Sequence, residues 1–173
     1  PVPIFVAQRD RGRRFEVESA EITINDTPVA ESQLEVGYVV AVRADFDDNI
    51  ADAVAFRPTL VGEVDVDDVP AGADGGTFTV LQQTVRITPT TVLGRGDRLD
   101  DIGPDNRVLV SGYRNSSNEI IASYIRLLSG GSFTTDQIVG RVGSLTPGTG
   151  FKIGGLSITT NEEPDVDERV VVR

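Results

Sequence analysis

TFTVLQQTVRITPTTVLGRGDRLDDIGPDNRVLVSGYRNSSNEIIASYIRL, Thr77–Leu127, is the stretch that decides the fold. Apolar and polar residues alternate at Thr77–Leu81, Val85–Thr88, Arg107–Gly112 and Glu119–Leu127, and each run is bounded by Gly, Asp, Asn or Pro. A period of two between turn residues predicts short strands. Leu60–Val66, just upstream, reads as one more. Between Val85–Thr88 and Arg107–Gly112, the third and fourth strands counted from Leu60, Arg95–Gly103 offers only Leu99 and Ile102 as apolar residues, enough for a single helical turn. Three strands, a short helical plug and two further strands is the order of a five-stranded Greek-key barrel of the OB type. Val64, Phe78, Val80, Val85, Ile87, Val108, Val110, Ile121 and Ile125 fall at alternate positions and are expected to line its interior. Ala122 falls on the opposite parity of the last strand.

Working outward, the pattern returns on both sides. LVGEV at Leu60–Val64 reappears as IVGRV at Ile138–Val142, 78 residues on. TFTV at Thr77–Val80 has counterparts in RFEV at Arg14–Val17 and GFKI at Gly150–Ile153. VRIT at Val85–Thr88 matches EITI at Glu21–Ile24 and LSIT at Leu156–Thr159. RVLV at Arg107–Val110 matches VVAV at Val39–Val42 and RVVV at Arg169–Val172, and IASYI at Ile121–Ile125 matches IADAV at Ile50–Val54, where Ala51 is the equivalent of Ala122. Matches in one order at module spacing describe one unit written nearly three times.

The expected architecture is therefore all-β: tandem small five-stranded Greek-key (OB-like) barrels with little helix. A first module spans 1–58, with Ile4–Gln8 as its opening strand and RDRGR as the following turn. A complete second module spans 59–129, 130–136 is a linker, and 137–173 is a third, truncated or incomplete module. The third has strands one to three and the start of a fourth at Arg169, but no counterpart of IASYI, and EEPDVDE replaces the longer helical link. An open barrel exposes unpaired edges, so a missing segment or another one is expected to complete it.

Composition narrows the chemistry. The chain has 173 residues, 39% of them apolar and 25% charged, which suffices for packed cores, and no run of about 18 apolar residues predicts a membrane-spanning helix. Cys, Met, Trp and His are absent, so disulfides, thiol nucleophiles, Cys or His metal ligands and imidazole bases are all excluded. Twenty-seven acidic against sixteen basic side chains give a net charge of −11, a field that repels phosphate backbones. The one basic cluster, Arg9, Arg11, Arg13 and Arg14, reads as a solvated hairpin tip. The opening PVPIF, with no initiator Met, reads as part of something longer, and zero Cys suits an exported bacterial protein as well as a cytosolic one.

The series Gly62-Glu63-Val64, Thr77–Val80, Val85–Thr91, Val108–Gly112 and Ile120–Ile125 resembles the bacterial domain of unknown function numbered 5666. The opening Phe15–Gly37 is similar to the domain that precedes such units in multi-copy members, so the resemblance extends over nearly the whole chain. It implies a barrel module found in tandem in exported or envelope-associated bacterial proteins, with no established activity. The first copy departs from it by lacking the G-x-V opening, and the third by lacking its last strand.

Carboxylates are the abundant reactive groups. Asp45, Asp47 and Asp48 fall between strands four and five of the first module, and Asp65, Asp67 and Asp68 follow strand one of the second, all places where Asp serves turns. The run from Asp45 begins like a calcium-binding EF-hand loop, but Ile50 stands where Gly is required and Phe56 where the bidentate Glu belongs, so no metal site is expected. Arg95-Gly96-Asp97 spells an adhesion tripeptide, too short a motif to carry weight in a chain of this composition, and Asn25 and Asn115 fit the glycosylation pattern but read as ordinary turns. OB barrels bind ligands on the face of strands two and three and the adjoining loops, which nominates Arg86, Tyr113, Arg114 and Tyr124 as a ligand-binding group of exposed aromatic and cationic side chains.

No catalytic residue and no cofactor are expected. The leading expectation is a non-enzymatic structural or binding module of an exported or envelope-associated protein, in the periplasm, at the outer membrane surface or outside the cell, whose partner is a protein or glycan of the cell envelope. The alternative is carbohydrate or single-stranded nucleic-acid binding through the second module's Tyr/Arg face. Nucleic acid is disfavoured by the acidic field, since single-strand binding wants a positive groove with stacking aromatics.

Overall fold

The computed structural model describes residues 4–6, 13–45, 47–65, 75–130, 133–160, 164 and 169–173. The chain is all-β, and among the described residues the only helical pieces are single 3-10 turns at Glu31–Gln33 and Leu99–Asp101, the second falling where Leu99 and Ile102 predict one. It divides into two compact units, Pro1–Arg57 and Pro58–Arg173.

In the first unit, β1 (Ile4–Val6) pairs antiparallel with β2 (Arg13–Phe15). A four-stranded sheet follows from β3 (Glu21–Ile24), β4 (Thr27–Pro28), β5 (Val40–Asp45) and β6 (Ile50–Phe56), in the order β4-β3-β6-β5. β3 runs parallel to β6, and β5 antiparallel to it. Arg43 stands opposite Ala53 and Ala44 opposite Ala51, which leaves Asp52 as the extra residue of a bulge. Phe15, Val17, Ile22, Ala51 and Val54 form the buried core. Val40, Val42 and Ala44 are half-buried while Ala41, Arg43 and Asp45 are exposed, the alternation of a sheet with one wet face. Tyr38 stacks on Phe56 with ring centroids 3.6 Å apart and planes at 4°.

In the second unit, β7 (Leu60–Glu63), β8 (Gly76–Val80), β9 (Gln83–Ile87), β10 (Val92–Leu93), β11 (Arg107–Arg114) and β12 (Ile120–Leu127) are joined by β13 (Gln137–Arg141) and, after a small antiparallel sheet of β14 (Ser144–Thr146), β15 (Gly150–Ile153) and β16 (Leu156–Thr159), by β17 (Arg169–Val172). The large sheet runs β17-β13-β7-β11-β12-β9-β8, with β10 also pairing β12. It curls as a half-barrel. Past the end of β7 an isolated antiparallel bridge joins Val64 to Val80, and the Asp65 N–H donates to Thr79 O at 3.0 Å. One hydrophobic cluster runs from Leu60 through Phe78, Val85 and Val110 to Phe151 and Ile153.

Two features differ from the sequence expectation. The first is parity on β12. Ser111 stands opposite Tyr124 but Gly112 opposite Ala122, so Ser123 is an extra residue and every side chain beyond it changes face. Ile120, Ala122 and Ile125 therefore enter the core cluster, whereas Ile121, expected inside, is only half-buried and lies outside it. The second is the placement of 137–172. β13 pairs with β7 at Gln137↔Val61 and Ile138↔Leu60, so this segment shares a sheet and a core with 60–127, where the sequence led us to expect a separate third module behind a linker at 130–136. The runs 60–62, 108–112 and 137–140 are buried without interruption, as strands covered on both faces must be.

Candidate functional site

The hairpin turn between β8 and β9 is Leu81–Gln82, both with positive φ (49° and 58°), the geometry that folds a two-residue hairpin. It delivers Gln83 to the first position of β9, in phase with inward Val85 and Ile87, so the amide is buried at 2% exposure. Gln83 Nε2 donates to Leu81 O at 3.2 Å and Ile153 O at 3.4 Å, and its Oε1 accepts from Arg114 Nη2 at 2.6 Å. Arg114, at the end of β11, also donates through Nη1 to Asn118 O at 3.0 Å. Its guanidinium is half-buried, and desolvation pulls its pKa below the ordinary arginine value.

The Gly154–Gly155 turn between β15 and β16 presses onto this cluster. A Cβ at Gly154 would stand 2.5 Å from Gln83 Oε1 and 3.0 Å from Arg114 Nη1, and Gly154 has φ +59°, so space and backbone both call for glycine. Beside it, Arg86 on β9 faces Glu119 at the start of β12. Nε donates to Oε2 at 3.1 Å and Nη2 to Oε1 at 2.6 Å, a two-pronged pair. Asn115 Nδ2 adds a bond to the same carboxylate at 2.8 Å. The hydrogen bond from Arg86 first, then that from Asn115, holds the Glu119 carboxyl below the usual range, and Glu119 in turn raises the Arg86 pKa.

Of the four nominated ligand-binding residues, Arg86 and Arg114 thus lie in one region, both engaged by the protein itself. Tyr113 stands at 60% exposure. Tyr124, nominated as an exposed aromatic, is buried at 1% exposure: it keeps the face opposite to inward Ile125, but that face is covered as well, as its cross-strand partner Ser111 at 0% exposure shows. Sequence reasoning missed Gln83 and Glu119. Gln83 had a signal, a polar residue in register with inward aliphatics; Glu119 had none beyond its place before a strand.

The carboxylate runs serve turns. Asp45 Oδ1 accepts from Asp47 N and Asp48 Oδ1 from Ile50 N, each at 2.9 Å. Asp67 and Asp68 lie outside the described residues, as do Phe46, Arg9 and Arg11. Among the described residues no three acidic side chains gather as a metal site. Asp97 of the Arg-Gly-Asp tripeptide accepts from Leu127 N at 2.9 Å through its side chain, which ties the loop to β12. Asn25 has φ +48° in the β3–β4 turn, and Asn115 Oδ1 accepts from Ser117 N and Glu119 N in the β11–β12 turn.

A domain of unknown function, DUF5666, is found at residues 66–126, which takes in β8 to nearly the end of β12. No curated protein and no solved structure matches the chain.

Proposed function

We propose that the chain is a non-enzymatic structural or binding module of an exported or envelope-associated bacterial protein, built from small OB-like barrels in tandem, whose partner is a protein or glycan of the cell envelope. The barrel reading is supported by the neighbour order β7-β11-β12-β9-β8 with the Val64–Val80 bridge, and by β9 running parallel to β12, the pairing of strands three and five in an OB barrel. The tandem reading is supported by pairings that recur at the positions of the sequence matches. β3–β6 repeats the parallel step of β9–β12, and β5–β6 repeats the bulge of β11–β12.

One observation carries the functional side: the cations on the face where an OB barrel would take a ligand are occupied internally, Arg86 by Glu119 and Arg114 by Gln83 and Asn118. A face already satisfied offers little to a phosphate or sugar, because a ligand would have to replace charge-assisted bonds. Titrating a single-stranded oligonucleotide and a soluble cell-wall glycan into the protein, followed by NMR, tests this. The expected result is no saturable shift around Tyr113. Saturable binding that disappears in Tyr113→Ala would favour the ligand-binding alternative and overturn the structural reading.

A further inference from the structure

Apart from the added strand β14, the C-terminal strands repeat the pairings of residues 60–110. β13 and β17 pair Ile138↔Val172, Val139↔Val171 and Gly140↔Val170, as β7 and β11 pair Leu60↔Val110, Val61↔Leu109 and Gly62↔Val108. β15 and β16 pair Phe151↔Ile158, as β8 and β9 pair Phe78↔Val85. Between β9 and β11 lies β12, parallel to the first and antiparallel to the second. Among the described residues, the equivalents of those two strands, β16 and β17, are both sheet edges. Burial registers the difference. Val85, Val108 and Val110 are at 0% exposure, while their equivalents Ile158, Val170 and Val172 are only half-buried, although all three pack against the same core.

We infer that β16 and β17 form an acceptor for one extended aliphatic strand of the β12 type, contributed by a partner polypeptide and inserted antiparallel to β17 and parallel to β16. This rests on the barrel reading above. The chemistry of the occupant follows from the repeat: backbone groups for two edges, and inward residues like Ile120, Ala122 and Ile125 to cover Ile158, Val170 and Val172. The occupant is a polypeptide strand; a second copy pairing its own β17 to this one would satisfy one edge and leave β16 open.

The probe is a synthetic peptide of Glu119–Leu127, EIIASYIRL, with a scrambled control, titrated into the labelled protein while amide hydrogen exchange is followed residue by residue. The expected result is saturable slowing of about tenfold or more at 157–159 and 170–172, with none from the scrambled peptide. A chain extended after Arg173 by Asn115–Leu127, NSSNEIIASYIRL, is expected to show the same protection and a higher Tm. No protection from either route overturns the inference, as does protection at β9 and β11, which would mean displacement of β12, or self-association of the protein that the peptide does not prevent. The amide of Asp65, bonded to Thr79 O, separates two failures. If it exchanges at loop rates, the barrel reading itself falls; if it is protected while β16 and β17 do not respond, only the acceptor falls.

Discussion

The ladders β5–β6 and β11–β12 share an irregularity and differ in their cover. Asp52 in one and Ser123 in the other is the extra residue, the alanine just before it, Ala51 or Ala122, lies in the core, and Val54 and Ile125 are both at 0% exposure. Yet β5 alternates half-buried and exposed residues, while β11 is buried without a break from Val108 to Gly112. The pairing is thus specified by register and bulge, and the same backbone serves a sheet with one wet face or one sealed on both. The bulges differ in room as well: a Cβ at Gly112 would stand 2.2 Å from Ile121 O on the paired strand, whereas Ala44 occupies the matching step of the first ladder.

The largest expected effect tests whether core size, not pairing, separates the two regions. Phe78 (1% exposed), Phe15 (5%) and Phe151 (8%) hold matching places. Phe78→Ala is expected to cost about 5 kcal/mol and Phe15→Ala or Phe151→Ala about 3 kcal/mol, since thinner surroundings collapse more readily into the cavity. Chemical denaturation measures all three, and equal losses would break the comparison. Next, Gly112→Ala should cost about 1–3 kcal/mol by overpacking against backbone, while Ala44→Gly should cost about 0.5–1 kcal/mol through chain entropy. If both prove neutral, the two bulges are equally roomy.

The smallest effect concerns charge. Because the Glu119 carboxyl is held low in the folded protein, its contribution is complete above the ordinary glutamate value of about 4.3 and is lost as pH falls through the lowered folded value. Glu119→Gln should therefore flatten the acid limb of the stability profile below pH ~4.3 and leave its shape near neutrality unchanged. The exposed Arg43–Asp52 pair, at 4.0 Å, gives the contrast: Asp52→Asn is expected to change stability by less than about 0.5 kcal/mol.

Strand positions were legible because alternation and turn residues are local. Thr77–Leu81 became Gly76–Val80, Val85–Thr88 became Gln83–Ile87, and the single helical turn fell at Leu99–Asp101. What was not legible depends on partners distant in sequence. A bulge has no residue signature of its own, so Ile121 is expected on the wrong face, although the shared alanines at 51 and 122 mark the spot; Tyr124 lies on the expected face, and only the cover over that face was hidden. The engagement of Arg86 and Arg114 follows from Glu119 and Gln83, 33 and 31 residues away in the chain. The sheet shared by β7 and β13 was likewise hidden, because strand repeats reveal likeness and not adjacency.

That shared sheet has a practical consequence for anyone cutting the gene. A fragment stopped at residue 129 would keep every sequence signature of a finished barrel, yet strip β7 of its neighbour along Leu60 and Val61 and release Thr59 O and Pro58 O from Val139 N and Gln137 Nε2. Bare backbone on a strand of buried aliphatics invites fibrous assembly, so the safe excision point lies before Pro58, with the tail retained.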